Sequence, residues 1–308
     1  VSRPKMYEKI VNLSSEMYGY MLSASYSRLE RRWNKWDKNN RKGAEPKLDD
    51  SKAKKYLELS IKTVNKIIKD HPNYQNIIYI KFQKAEALMN LNKEGEAVST
   101  YKEIIKKYPK SDVAGESSIS LGDFYFNNNL FKPASKYYRK GVVFKKSKRF
   151  GYALYRLAWS NYNLGKYKKS IDYWKRGVVF AEVNIKLAGS LKKEILRDLV
   201  YGYAETKDIK DAVSFYKKHG DRSDLARMIF FLAVGLAVGL AVMLMMAFKI
   251  THPPAGGNTI VVMLAQDSFQ FLIFPIMVGA VTIIIGGIIY NRFILKKKYP
   301  LKWFKKDF

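Results

Sequence analysis

"YYRKGVVF" (Tyr137–Phe144) and "YWKRGVVF" (Tyr173–Phe180) are nearly the same octet, displaced by 36 positions. Their upstream halves match as well: "LGDFYFNNNLFKPA" (Leu121–Ala134) against "LAWSNYNLGKYKKS" (Leu157–Ser170). An earlier copy is "KAEALMNLNKEGEAVSTYKEIIKKYP" (Lys84–Pro109), and a later, weaker one is "LVYGYAETKDIKDAVSFYKK" (Leu199–Lys218). "YLELSIKTVNKIIKDHP" (Tyr56–Pro72) supplies only a second half. In every copy a small residue (Ser60, Ala97, Ala134, Ser170, Ala212) stands four positions before Val64, Tyr101, Tyr138, Trp174 or Tyr216. Apolar residues through 1–226 recur at three- and four-residue spacing, which is the helical period. The unit is therefore a helix pair. The small residue lets two helices approach, and the aromatic one turn later fills the next groove.

This pattern resembles the tetratricopeptide repeat, a helix–turn–helix of about 34 residues. Leu121-Gly122 and Leu157-Ala158 match its first helix, the small-plus-aromatic pair its second, and Pro72 and Pro109 end two second helices. The period here is 36–37, and 42 before the last copy, so longer turns are expected. The predicted fold is all-α: a solenoid followed by a transmembrane helical hairpin with a short half-helix. The expected order is an N-terminal helix (1–38), a polar linker (39–54), repeats (55–220), a junction (221–227) and a membrane segment (228–308). Repeat packing is assigned to Ala97, Tyr101, Gly122, Ala134, Tyr138, Ala158, Ser170, Trp174, Ala212 and Tyr216. The aromatics read first as core, and second as the lining of a peptide groove, the usual use of such a solenoid. The resemblance implies a protein partner.

Lys and Arg number 56 against 27 Asp and Glu, a net charge of +29. Residues 1–226 hold 47 of those cations and 25 of the acids, so most of the surplus lies in the repeat half. Such an excess favours anionic partners such as lipid headgroups, nucleic acid or acidic proteins, and says nothing about fold. Nucleic-acid binding is not expected, because no base-reading motif accompanies the charge. The chain has no Cys and only three histidines, His71, His219 and His252. Without metal-ligand spacing, a nucleotide loop or a Ser/His/Asp pattern, neither a metal nor a cofactor nor an enzymatic activity is expected. The opening "VSRPKMYEKIV" lacks the apolar run of a signal peptide.

The C-terminal quarter follows different rules. "MIFFLAVGLAVGLAVMLMMAF" (Met228–Phe248) is uncharged and long enough to span a bilayer, with Gly235 and Gly239 four apart for close packing in lipid. A second span reads from Phe269 to Tyr290, and "NRFILKKKYPLKWFKKDF" beyond it carries seven cations. Cations flank the pair on both outer sides, so the positive-inside rule places both ends in the cytoplasm. The expected location is a membrane, most simply the bacterial inner membrane, with an oligomer held in lipid. A periplasmic repeat domain is the inverted alternative.

Between the spans, "KITHPPAGGNTIVVMLAQD" (Lys249–Asp267) cannot continue a helix through Pro253 and Pro254. Its apolar end is too short to cross at about 1.5 Å per residue. A helix end, a Gly-Gly turn and a half-helix over 252–266 are expected, with the free amides near Gly256–Thr259 suited to a small anion. "THPPAGGNTIVVML", the span after it and the closing "YNRFILKKKYPLKWF" resemble the HPP family of integral membrane proteins. Some members of that family are implicated in nitrite transport. The resemblance covers Arg227–Phe304, where His252, Pro253, Pro254, Ala255, Gly256 and Gly257 match the signature. The anion-site candidates are then His252, Pro253, Pro254, Gly256, Gly257, Asn258 and Thr259. His252 reads equally as an anion or proton group and as a cap for the first span; Asp267 reads as an interfacial anchor. Family members usually carry more spans than the two here. Two functions lead, a membrane-anchored scaffold or an anion transporter with a repeat domain for assembly; a third, nucleic-acid binding through the basic surface, rests on charge alone.

Overall fold

The computed structural model describes residues 2–233. Both the HPP motif and the second span lie outside the described residues, as do residues 234–248 of the first. Among the described residues, no helix is long and apolar enough to cross a membrane.

The chain divides into two compact units, 1–207 and 208–308. In the first, α1 (Arg3–Lys38) opens with Pro4 in its first turn, where a missing N–H costs nothing, and ends with Lys35 and Lys38 facing the carbonyl end of the dipole. Helices α2 (Ser51–Asp70), α3 (Ile77–Asn90), α4 (Glu94–Lys107), α5 (Asp112–Asn127) and α6 (Phe131–Gly141) follow. After them come α7 (Phe150–Asn163), α8 (Tyr167–Val183) and α9 (Ile185–Thr206). Residues 51–54, expected in the linker, are thus helical. The N-terminal helix is also part of the repeat body. Val11 packs with Val64, Ile67 and Ile80, while Glu8 accepts hydrogen bonds from the Tyr74 hydroxyl and from Asn76 Nδ2 at 3.1 Å.

The turn inside each repeat is built the same way three times. The N–H of Lys93, Leu130 and Lys166 donates to the carbonyl of Leu88, Tyr125 and Asn161 at 2.8–2.9 Å, closing each first helix. The residue before each donor is left-handed: Asn92 (φ 60°), Asn129 (φ 58°) and Gly165 (φ 68°), residue types that tolerate that region. The corresponding place after α9 holds Lys207 (φ 56°).

The 42-residue period does not come from a longer turn. One residue, Asn184, separates α8 from α9, and the extra length extends both helices. A non-helical Ala188 (φ −139°, ψ 17°) kinks α9 near its start.

Successive first helices touch one another (α3–α5, α5–α7, α7–α9), which puts them on the inside of the curve. One core cluster joins Ala85, Leu88, Ala97, Tyr101 and Leu121; the next joins Ile119, Ala134, Tyr138, Phe150, Leu154 and Leu157. A core continuous across repeats is what lets units too small to fold alone become stable.

The second unit begins with α10 (Ile209–His219), and residues 222–233 are helical. The unit boundary at Lys207 therefore falls inside the weakest copy, whereas the sequence reading ran repeats to 220.

Candidate functional site

All ten repeat-packing residues are buried: nine at 0–1% exposure, and Gly122 likewise buried. Buried in this way, they have no surface to offer a ligand. At Gly122 the reason is direct, since a Cβ there would meet the Tyr138 ring at 2.6 Å. The octet glycines act alike in the second helix. Added Cβ atoms would meet Ile119 at 2.6 Å from Gly141 and Ile195 at 2.7 Å from Gly177.

Two of the buried tyrosines end on acids. Tyr101 donates its hydroxyl proton to Glu86, and Tyr138 donates to Asp123, both across 15 positions of sequence. Burial first, and the neighbouring carboxylate second, raise both phenol pKa values well above their ordinary range. The two pairs are joined. Ser120 Oγ donates to Glu86 at 2.8 Å and accepts from Arg149 Nη1 at 3.1 Å; the other arm of Arg149 binds Asp123. Asp123 also accepts from the Tyr152 hydroxyl at 2.8 Å, and Arg156 Nε lies 3.9 Å away. Tyr152 is pushed up to about 12, by burial and then by Asp123. Arg149 further reaches Glu116 at 3.7 Å, and Glu116 accepts from Ser147 Oγ at 2.5 Å. A continuous polar chain thus runs from α3 through α5 to α7.

In the third repeat the same 15-residue pairing is Trp159 with Trp174, edge to face at 5.2 Å. Trp174 is fully buried, and among the described residues its indole N–H has no hydrogen-bond partner. Trp159 instead donates to Asp198 at 3.2 Å, which also accepts from Tyr155 at 2.6 Å.

A cleft of about 300 Å³ opens over this inner face. Its walls include Glu86, Ser120, Asp123 and Arg149, whose polar atoms already satisfy one another, and its rim includes the exposed Glu94, Asn127 and Asn128. Such a surface can hold an extended polypeptide by its rim but offers no activated nucleophile. Among the described residues no group of three or more His, Cys, Asp and Glu could hold a metal.

Sequence reasoning found the buried partners Tyr101 and Tyr138 and missed Glu86 and Asp123. Their signal was present: the two acids stand 37 apart, the same displacement as Ala97 and Ala134. Arg149 comes from the segment between repeats and has no such signal. The expected anion site, His252, Pro253, Pro254, Gly256, Gly257, Asn258 and Thr259, lies outside the described residues.

Comparison with known proteins separates the two halves. The family "Tetratricopeptide repeat" matches residues 80–111 and 152–176, and the family "HPP, transmembrane region" matches residues 213–300. The latter begins inside α10. Two transmembrane proteins of Dictyostelium discoideum are 33% identical over 78 residues and 32% over 75. Those alignments cover 24% and 23% of this chain, and the chain spans only 27% and 24% of those relatives. Among solved structures, a putative kinesin light chain with nearly identical TPR-like repeats from Podosopora anserina is 12% identical. It covers 74% of this chain and 98% of its own, with a TM-score of 0.47. MamA is 16% identical, covering 56% and 85%, with a TM-score of 0.41. The chain carries tetratricopeptide repeats in its N-terminal region and an HPP-family transmembrane domain at residues 213–300.

Proposed function

We propose that this chain is a non-enzymatic scaffold, anchored in a membrane by its HPP region, whose repeat unit captures a protein segment on its inner face. The observation that carries the reading is the pairing of two features in one chain. Repeats whose first helices line an inner cleft precede a transmembrane family domain. Tetratricopeptide repeats support protein interaction, and the HPP match supports membrane association. The repeat unit faces the cytoplasm in this reading, by the charge of the flanks.

The test is site-specific photocrosslinking of the full chain in native membranes. A photoreactive residue at Asn128, on the cleft rim, should yield one discrete protein adduct that survives high salt. The same residue at Val143, which is 71% exposed in the segment between α6 and α7, should not. A salt-sensitive smear from both positions would leave only charge attraction. Alkaline carbonate extraction tests the anchor, since a spanning chain stays in the pellet.

A second reading, transport of a small nitrite-like anion, rests on "THPPAGGNTIVVML" within the HPP match. It requires anion flux in proteoliposomes that falls on His252→Ala.

A further inference from the structure

Helix α1 precedes both tetratricopeptide matches, and its packing on the repeat body uses only one side. A second side is apolar as well. Met6, Ile10, Leu13, Met17, Tyr20 and Ala24 follow one another at alternating steps of four and three. That alternation is the 3.5-residue repeat of a helix meeting another helix along a seam. None of the six is in the buried class, and Met6 (52%), Ile10 (38%), Leu13 (58%) and Tyr20 (69%) are each more than one-third exposed. The inward side of the same helix is carried by Val11, Ser14 and Ser25, roughly a third of a turn away. A seam of this kind, left open to water, asks for a helical partner.

We propose that the outer stripe of α1 pairs antiparallel with the same stripe of a second copy of this chain. The charges beside the stripe select this arrangement. Setting Ile10 opposite the partner's Leu13, and Met6 opposite the partner's Met17, places Lys9 against the partner's Glu16. The two-fold axis then makes the same contact again in reverse. Lys9 and Glu16 are both exposed, and neither has an ion pair among the described residues. A parallel pairing would bring Lys9 toward the partner's Ser14, which is buried at 3% exposure against its own unit, and would leave both charges unmatched. The stripe is free of charged residues from Met6 to Ala24, so nothing on it opposes a second copy of itself.

The test uses the full chain in detergent, and exploits the absence of cysteine. Leu13→Cys should be captured as a dimer by a short bismaleimide, while Leu59→Cys, exposed on α2, should not. K9E turns two attractive contacts into two repulsive ones and should weaken dimerisation, read by sedimentation equilibrium, roughly tenfold. E16K should do the same, and K9E/E16K together should return the affinity to within about twofold of the parent. Equal helicity of all variants by circular dichroism guards against unfolding. A chain that stays monomeric throughout, a dimer indifferent to K9E, or a double variant no better than the singles would overturn the proposal. A dimer held by the membrane region alone would show the second of these outcomes.

Discussion

The second and third repeats fill one slot in two ways. In the second, Tyr138 reaches across 15 positions to Asp123 by a hydrogen bond, and Arg149 and Tyr152 complete the shell of that acid. In the third, Trp174 meets Trp159 by ring packing alone, and its own N–H is left over. A directional bond fixes the register of neighbouring helices, whereas ring contact supplies bulk and tolerates sliding. The repeat therefore demands volume at this position and leaves its chemistry free.

Four experiments on the full chain would break or sharpen that contrast, each read by urea unfolding. Trp174→Ala should be the most damaging, costing about 4 kcal/mol, because a fully buried indole leaves a large hole. Gly122→Ala comes next at about 2 kcal/mol, since the new methyl drives the Tyr138 ring off its contact with Asp123. No such loss is expected from Ala158→Gly in the third repeat beyond the helix cost of about 1 kcal/mol. If the two changes cost the same, close approach is not what Gly122 provides.

The third experiment concerns pH. Tyr152 titrates near 12 when folded against an ordinary value of 10. Its contribution is fully present below pH 10 and is lost as pH rises toward 12, because the unfolded chain gives up its proton first. Tyr152→Phe should make the fall in stability across that window shallower; an unchanged slope would refute the assignment. The smallest effect is a gain. Ser170 fills the small slot with a buried hydroxyl that has no partner among the described residues, where three other copies use Ala97, Ala134 and Ala212. Ser170→Ala should stabilise by up to about 1 kcal/mol.

Much of this architecture is legible in the chain because duplication writes each rule more than once. Ala97 and Ala134, or Gly141 and Gly177, can be read as packing contacts from their displacement alone. What escaped is what is not duplicated. Arg149 heads α7 from an irregular segment and bridges two acids of α5, Glu116 and Asp123, so periodicity does not mark it. The extra residues before the last copy extend α8 and α9, not the expected turn, since period alone cannot say whether an insertion lengthens a helix or a loop. The packing of α1 escaped for the opposite reason: its inward side carries Val11 among serines, too faint an apolar face to announce a partner.

The guanidinium of Arg149 ties α7 to α5, and through Ser120 to the acid on α3. Under load, then, the first two full repeats should behave as one body instead of peeling away in turn. A molecule stretched from its ends should therefore release the Tyr101–Tyr138 block in a single step.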